Sequence, residues 1–243
     1  VLGGSSAGAL PKVLLNIDGV DWLIKFRSSL DPKDISAIEY AYHLMAIDAG
    51  LIVPSAKLFS SKTGSGFFGV KRFDRNGNQR IHMHTMAGLL HADHREFSLD
   101  YESIMKATLY LTKDIRQCEI QFRHAVFNIL SHNRDDHSKN FSFLMDQRGI
   151  WTVSPAYDLT FSSGLSGEHS TMIMREGKSP TKAHLLKLAA ICDINGDKAL
   201  DVIHQVLTAT EKWNAVATQV GVSRIQTKNI GEALRRVREN SGI

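Results

Sequence analysis

Cysteine is scarce in this 243-residue chain, with Cys118 and Cys192 its whole supply. They lie far apart and outside any CxxC or Cys/His ligand spacing, which argues against a disulfide framework or a structural zinc site and makes a reducing compartment the expectation. Long apolar runs are lacking too: nothing approaches the roughly 18 consecutive residues of a membrane span. The first residues do not follow the basic, apolar, small-residue order of a secretory leader. The reading is a soluble, cytoplasmic protein with no membrane partner. Neither sign of charge dominates, since 29 Lys and Arg face 25 Asp and Glu for a net charge of +4. That balance favours anionic partners only weakly. There is no internal repeat.

What is present is ordinary globular composition, 43% hydrophobic and 22% charged, in a chain long enough for one large domain or two lobes sharing a cleft. Small residues from Val1 to Lys12 form a loop leading into a strand at Val13 to Ile17, and a chain that begins on such a loop reads as truncated. Asp18-Gly19 marks a turn into a second strand over Trp22 to Phe26, which carries Lys25. Ile35, Ile38, Tyr42, Met45 and Ala49 recur at helical intervals, with Glu39 in the middle and Gly50 placed to end the helix. Two more strands are expected at 55–60 and 66–73. After the polar turn Asp74 to Asn78 helical periods take over, at 85–91, 98–111 and 114–131. In the last of these Ile115, Cys118, Phe122, Val126 and Ile129 form one apolar stripe. A short hairpin follows over 141–145 and 149–153, then a mostly helical remainder. The switch suggests a strand-rich lobe over 1–75, with a hinge at 70–75, and a mainly helical lobe over 76–243.

The informative chemistry is His132-Asn133-Arg134-Asp135-Asp136-His137-Ser138-Lys139-Asn140, answered by Asp158 in Ser-Pro-Ala-Tyr-Asp-Leu. Phosphoryl transfer needs a carboxylate to position the nucleophile, divalent cations on the phosphates and a fixed positive charge. Asp135 and Asn140 keep the Asp-to-Asn interval of five that a kinase catalytic loop uses. Asp135 can orient the attacking hydroxyl, while Asn140 and Asp158 offer hard oxygen ligands for Mg2+. Lys139 can neutralise the transferred group. Lys25 can reach the phosphates from the other lobe, with Glu39 its natural partner. Taken alone, an Asp and Asn at a helix end serve as well for capping and turns. The order of loop, strand lysine, catalytic-loop Asp and later Asp is what favours chemistry.

Gly3 to Gly8 is neither a Walker A sequence nor a Gly-x-Gly-x-x-Gly fingerprint, and alone it fits a plain turn as well as a phosphate cradle. Its small residues, Gly4, Ser5, Ser6, Ala7 and Gly8, would let backbone N–H groups approach an anion. Two other readings stay open. His132 and His137 flanking the two aspartates permit a metal hydrolase, although no HExxH or second His-x-Asp cluster accompanies them. A catalytically silent ATP-binding scaffold is the other, motivated by the basic run Arg224, Lys228, Arg235, Arg236 and Arg238, which is otherwise a solvated helix face.

Four stretches together resemble the HipA-like serine/threonine kinases of bacterial toxin–antitoxin systems. These are Gly-Gly-Ser-Ser-Ala-Gly-Ala-Leu-Pro-Lys at the start, Val-Lys-Arg-Phe-Asp-Arg at 70–75, Asp-Asp-His-Ser-Lys-Asn-Phe-Ser-Phe at 135–143 and Ser-Pro-Ala-Tyr-Asp-Leu at 154–159. The resemblance implies an α+β, two-lobed protein-kinase-like fold. It implies ATP held through Lys25 and by the backbone near Lys71 to Phe73, catalysis by Asp135, and magnesium on Asn140 and Asp158. It makes Ser5, with Ser6 as the alternative, the autophosphorylated loop serine, whose added charge would oppose the ATP phosphates.

The same resemblance implies a helix-turn-helix antitoxin as partner, a protein substrate of the aminoacyl-tRNA synthetase class, and DNA contact only through that antitoxin. Members of this family carry a small N-terminal subdomain before the Gly-rich loop. Here the loop follows two residues, so the start is expected to be shortened, or the missing piece supplied as a separate small protein.

Overall fold

A computed structural model describes residues 11–29, 31–62, 66–77, 79–91 and 99–243. Its first strands, β1 (Lys12–Ile17) and β2 (Val20–Lys25), form a hairpin in register from Lys12↔Lys25 to Ile17↔Val20. Asp18 and Gly19 both take left-handed φ at its tip, at 52° and 78°, the two-residue geometry that matches strand twist. With β3 (Ala56–Phe59) and β4 (Phe67–Lys71) the hairpin completes an antiparallel sheet of order β1-β2-β4-β3. Side chains alternate across a sheet, so Lys12 and Leu14, Leu23 and Lys25, and Phe68 and Val70 share one face, which lines a cleft. Trp22 and Ile24 are buried on the opposite face.

Between β2 and β3 runs α1 (Ile35–Asp48), packed against β3 and β4 and also against two C-terminal helices. Ala37, Ile38, Ala41, Tyr42, Met45 and Ala46 are all buried along it, as expected of a helix clasped from two sides. Gly50 ends the helix in the left-handed region at φ 75°, and Leu51 N–H returns to the Ala46 carbonyl at 2.9 Å. This is the glycine-terminated closure expected there.

The chain then makes a minimal hairpin, β5 (Arg75–Asn76) with β6 (Gln79–Arg80), before β7 (His82–Thr85) and α2 (Met86–Leu89). The strand at β7 corrects the sequence reading, which passes directly from the polar turn to helix. It joins β9 (Ser142–Met145) and β10 (Trp151–Val153) in a three-stranded sheet of order β10-β9-β7. The helical body holds α3 (Tyr101–Thr112) and α4 (Ile115–Leu130). It continues with α5 (Lys182–Ala190), α6 (Gly196–Glu211), α7 (Trp213–Gln219) and α8 (Arg224–Ser241). A two-residue parallel pair, β8 (Leu99–Asp100) with β11 (Thr171–Met172), ties the start of α3 to the later loop.

Helix α4 is the axis of that body, touching α3, α5, α6 and α8. Cys118, Phe122, Val126 and Ile129 of the expected stripe are buried, whereas Ile115 is 42% exposed because it occupies the first turn, beyond the packing partners. Each fully buried large apolar side chain contributes on the order of 1.5–3 kcal/mol. With Phe122, Phe127, Tyr101 and Trp213 among them, α4 has a fixed C-terminal end. No helix among the described residues is long and apolar enough to cross a membrane.

Candidate active site

The loop after α4 is fixed before its functional residues begin. Tyr42 of α1 donates its hydroxyl to the Ser131 carbonyl at 2.6 Å. His132 turns the chain with φ 56°, and Asn133 N–H returns to the Asn128 carbonyl at 2.9 Å. Ser162 N–H bonds the His132 carbonyl at 3.1 Å, so the later segment is stitched to this loop. The His132 ring stacks on Phe161 and meets the Ser162 carbonyl through Nδ1 at 3.0 Å. It therefore serves as a strut.

The two adjacent aspartates then part ways: the Asp135 side chain is 59% exposed and the Asp136 side chain is entirely buried. Asp136 Oδ2 accepts from Tyr101 Oη and meets His169 Nδ1, each at 2.9 Å, and Oδ1 accepts from Thr171 N–H at 3.2 Å. Tyr101 Oη in turn accepts from Asn128 Nδ2 at 2.9 Å, and Asn133 Nδ2 donates to Asn128 Oδ1 at 2.9 Å. A buried polar network of this kind rigidifies what it holds. Here it holds the backbone directly beside Asp135. Sequence reasoning missed Asp136, Tyr101 and His169. The only signal was the Asp-Asp pair, which does not say which member turns inward.

Lys25 is buried at the cleft floor, with Nζ 2.9 Å from Glu39 Oε1 and in direct contact with Asp158 Oδ1. Burial works against the ammonium charge, but Asp158 and Glu39 together outweigh it and raise the lysine pKa. Lys25, above all, holds the Asp158 carboxyl below its ordinary value. Asp158 itself sits at φ 58°, uncommon for a residue with a Cβ. Asp135 goes the other way. Its carboxyl is raised, first by partial loss of hydration, and Asp158 and Asp136 add to this against His137 and Lys25.

Lys12, Leu14, Leu23, Val70, Phe73, Met83 and Tyr157 join Lys25, Glu39 and Asp158 around a cavity of about 230 Å³. Its apolar walls with a charged end suit a flat heteroaromatic group carrying an anionic chain. Lys71 and Phe73 also line it. Phe73 packs on Tyr157 with ring centroids 5.7 Å apart, and Tyr157 Oη donates to the Lys139 carbonyl at 2.6 Å. Lys12 is a second cleft lysine that the sequence reading left without a role. It pairs in register with Lys25, and burial lowers its pKa.

Asp135, Lys139 and Asn140 stand on the 132–140 loop outside the cavity wall, with Asn140 Nδ2 donating to the Asp135 carbonyl at 2.8 Å. That bond turns the Asn140 amide so that Oδ1 is the end left for a cation. Gly4, Ser5, Ser6, Ala7 and Gly8 lie outside the described residues. Among the described residues no three His, Cys, Asp or Glu side chains gather into a ready metal cage. Two carboxylates and one amide suit magnesium, which binds through few protein ligands and completes its shell with water and phosphate oxygens. Loss of hydration is the main cause of the raised Asp135 pKa, and the smaller repulsion from Asp158 that adds to it is what a divalent cation would relieve.

Residues 4–214 match the family model described as the HipA-like C-terminal domain. The chain is 25% identical over 216 residues to the Sinorhizobium fredii protein named "Putative kinase Y4dM", matching 82% of this chain and 52% of that one, so it spans about half the length of this curated relative. Among solved structures it resembles Shewanella oneidensis HipA, from a toxin–antitoxin complex of HipA, HipB and operator DNA. That likeness has a TM-score of 0.76 at 16% identity and covers all of this chain and 66% of that one. It also resembles the Helicobacter pylori proinflammatory kinase CtkA, with a TM-score of 0.67 at 12% identity over 98% and 90% of the two chains. The fold is protein-kinase-like.

Proposed function

The chain belongs to the HipA-like C-terminal domain family, and from that premise we propose that it is an ATP-dependent serine/threonine protein kinase, the toxin of a bacterial toxin–antitoxin pair. The observation that carries the reading is Lys25 gripped by Glu39 and Asp158 at the charged end of an apolar cleft. In this reading the cleft takes the adenine between Leu14, Leu23, Val70 and Phe73, with backbone contacts near Lys71. Lys25 binds the phosphates.

Asp135 accepts the proton of the attacking hydroxyl, and its raised pKa suits a group that must take up a proton. Lys139 balances charge on the group in transfer. Asn140 and Asp158 would hold magnesium, which supplies neutralisation of phosphate charge when bound. The buried Asp136 network keeps Asp135 in place, so positioning and electrostatics carry the rate.

The acceptor is a protein serine or threonine, with an aminoacyl-tRNA synthetase as the substrate class and Ser5 or Ser6 as the internal acceptor. A helix-turn-helix antitoxin is the partner, and DNA is reached through it. Transfer of label from γ-labelled ATP, measured on the full-length protein with Asp135→Gln and Asp158→Ala beside wild type, tests the core of this. Labelling is expected in wild type and lost in both variants. Equal labelling in all three would overturn the assignment.

A further inference from the structure

A second cavity, of about 180 Å³, lies between the end of α4, the 178–180 segment and the C-terminal half of α8. It shares no lining residue with the first. Its polar wall is made of His132, Arg134, His169, Lys178, Arg236 and Asn240, with Ser179 at the rim, and it contains no carboxylate.

Two of these cations form no salt bridge, although Glu176 acts on Lys178 from outside the cavity wall. On α8, Lys228 and Arg235 pair with Glu232 and Glu239, whereas Arg236 and Lys178 form no ion pair among the described residues. Arg134 donates through Nη1 to the Gly167 carbonyl and through Nη2 to the Lys178 carbonyl at 3.0 Å. Its Nε is buried without a hydrogen-bond partner. The carboxylates that act on Arg134 are Asp136 and Glu168. Asp136 is occupied by Tyr101, His169 and Thr171, and neither carboxylate lines the cavity. Burial, and then the Arg134 charge, hold the His132 pKa low.

We propose that this cavity binds one phosphate-class anion, either free phosphate or the phosphate of a modified serine or threonine, through Lys178 and Arg236 beside the half-buried Arg134 guanidinium. Charge-assisted bonds are the strong kind, and arginine presents the geometry that phosphate oxygens match. Occupancy would tie α8 to the loop that carries Asp135. The site stands independently of the nucleotide reading, because it uses none of the cleft residues.

Isothermal titration of the full-length protein with inorganic phosphate, and separately with a phosphoserine dipeptide, tests it. Wild type is expected to bind at millimolar concentration or better. Lys178→Gln/Arg236→Gln is expected to bind at least about tenfold more weakly while keeping its melting temperature in phosphate-free buffer. Should the double variant fail to fold, Asn240→Asp, which puts a carboxylate in the wall, is expected to give the same loss. Dipeptide binding about tenfold tighter than phosphate supports a phosphorylated residue as the ligand, and equal binding supports the free anion. No phosphate binding by wild type, or binding unchanged in the variants, would overturn the proposal.

Discussion

Lys25 Nζ stands 2.9 Å from Glu39 Oε1, linking a strand to a helix 14 residues on, while the same nitrogen touches Asp158 from 133 residues away. One ammonium therefore holds two carboxylates that would otherwise repel. Lys25→Met leaves them uncompensated and is expected to cost about 2 kcal/mol in chemical denaturation. This is below the penalty for a fully buried pair because Asp158 is one-third exposed. Adding Glu39→Gln to that variant should return part of the loss.

Asp135 separates activity from stability. A carboxyl whose folded pKa is raised disfavours its own charged form in the folded protein. Asp135→Asn should therefore leave stability at neutral pH unchanged or slightly higher, while transfer falls by about 10²- to 10⁴-fold. In wild type the rate should decline as pH falls through the raised value, and this acid limb should disappear in the variant's residual activity.

Asp158 has the opposite sign. Its folded pKa lies below the ordinary carboxylate value of 3.8 because of Lys25. Its contribution is fully present above that ordinary value and lost as pH falls toward the depressed one. Comparing denaturation midpoints of wild type and Asp158→Asn from neutral to acid pH should show the gap narrowing on the acid side. A gap that widened there would contradict the pairing.

The Asp136 network predicts an effect at a distance. Tyr101 Oη both donates to Asp136 and accepts from Asn128, so Tyr101→Phe leaves two buried partners short. The expected cost is about 1–3 kcal/mol in denaturation, with kcat reduced and KM for nucleotide little changed, since Tyr101 does not line the cleft.

The parts of this arrangement that sequence exposes are those with a local period. The Asp18-Gly19 turn and the apolar run after it set Lys25 on a strand, and helical spacing sets Glu39 on the next helix. The interval from Asp135 to Asn140 survives as a bond from the Asn140 side chain to the Asp135 carbonyl. What stays hidden depends on distant pairing. His82-Met83-His84-Thr85 lacks the β-branched run that marks a strand and becomes one by pairing with Ser142 to Met145. Asp136 reads like its neighbour until Tyr101 and His169 arrive from elsewhere in the chain. Ile115 fits the apolar stripe by spacing, yet lies a turn beyond the core. Lys12 enters the cleft through its register with Lys25.

The central claim is that the Lys25 cleft is a nucleotide-phosphate site, and calorimetric titration with magnesium and a non-hydrolysable ATP analogue tests it most directly. Saturable binding at one site per chain is predicted, weakened at least about tenfold by Lys25→Met and by removal of magnesium with a chelator. No binding by the folded wild-type protein, or equal affinity in the variant, would contradict it.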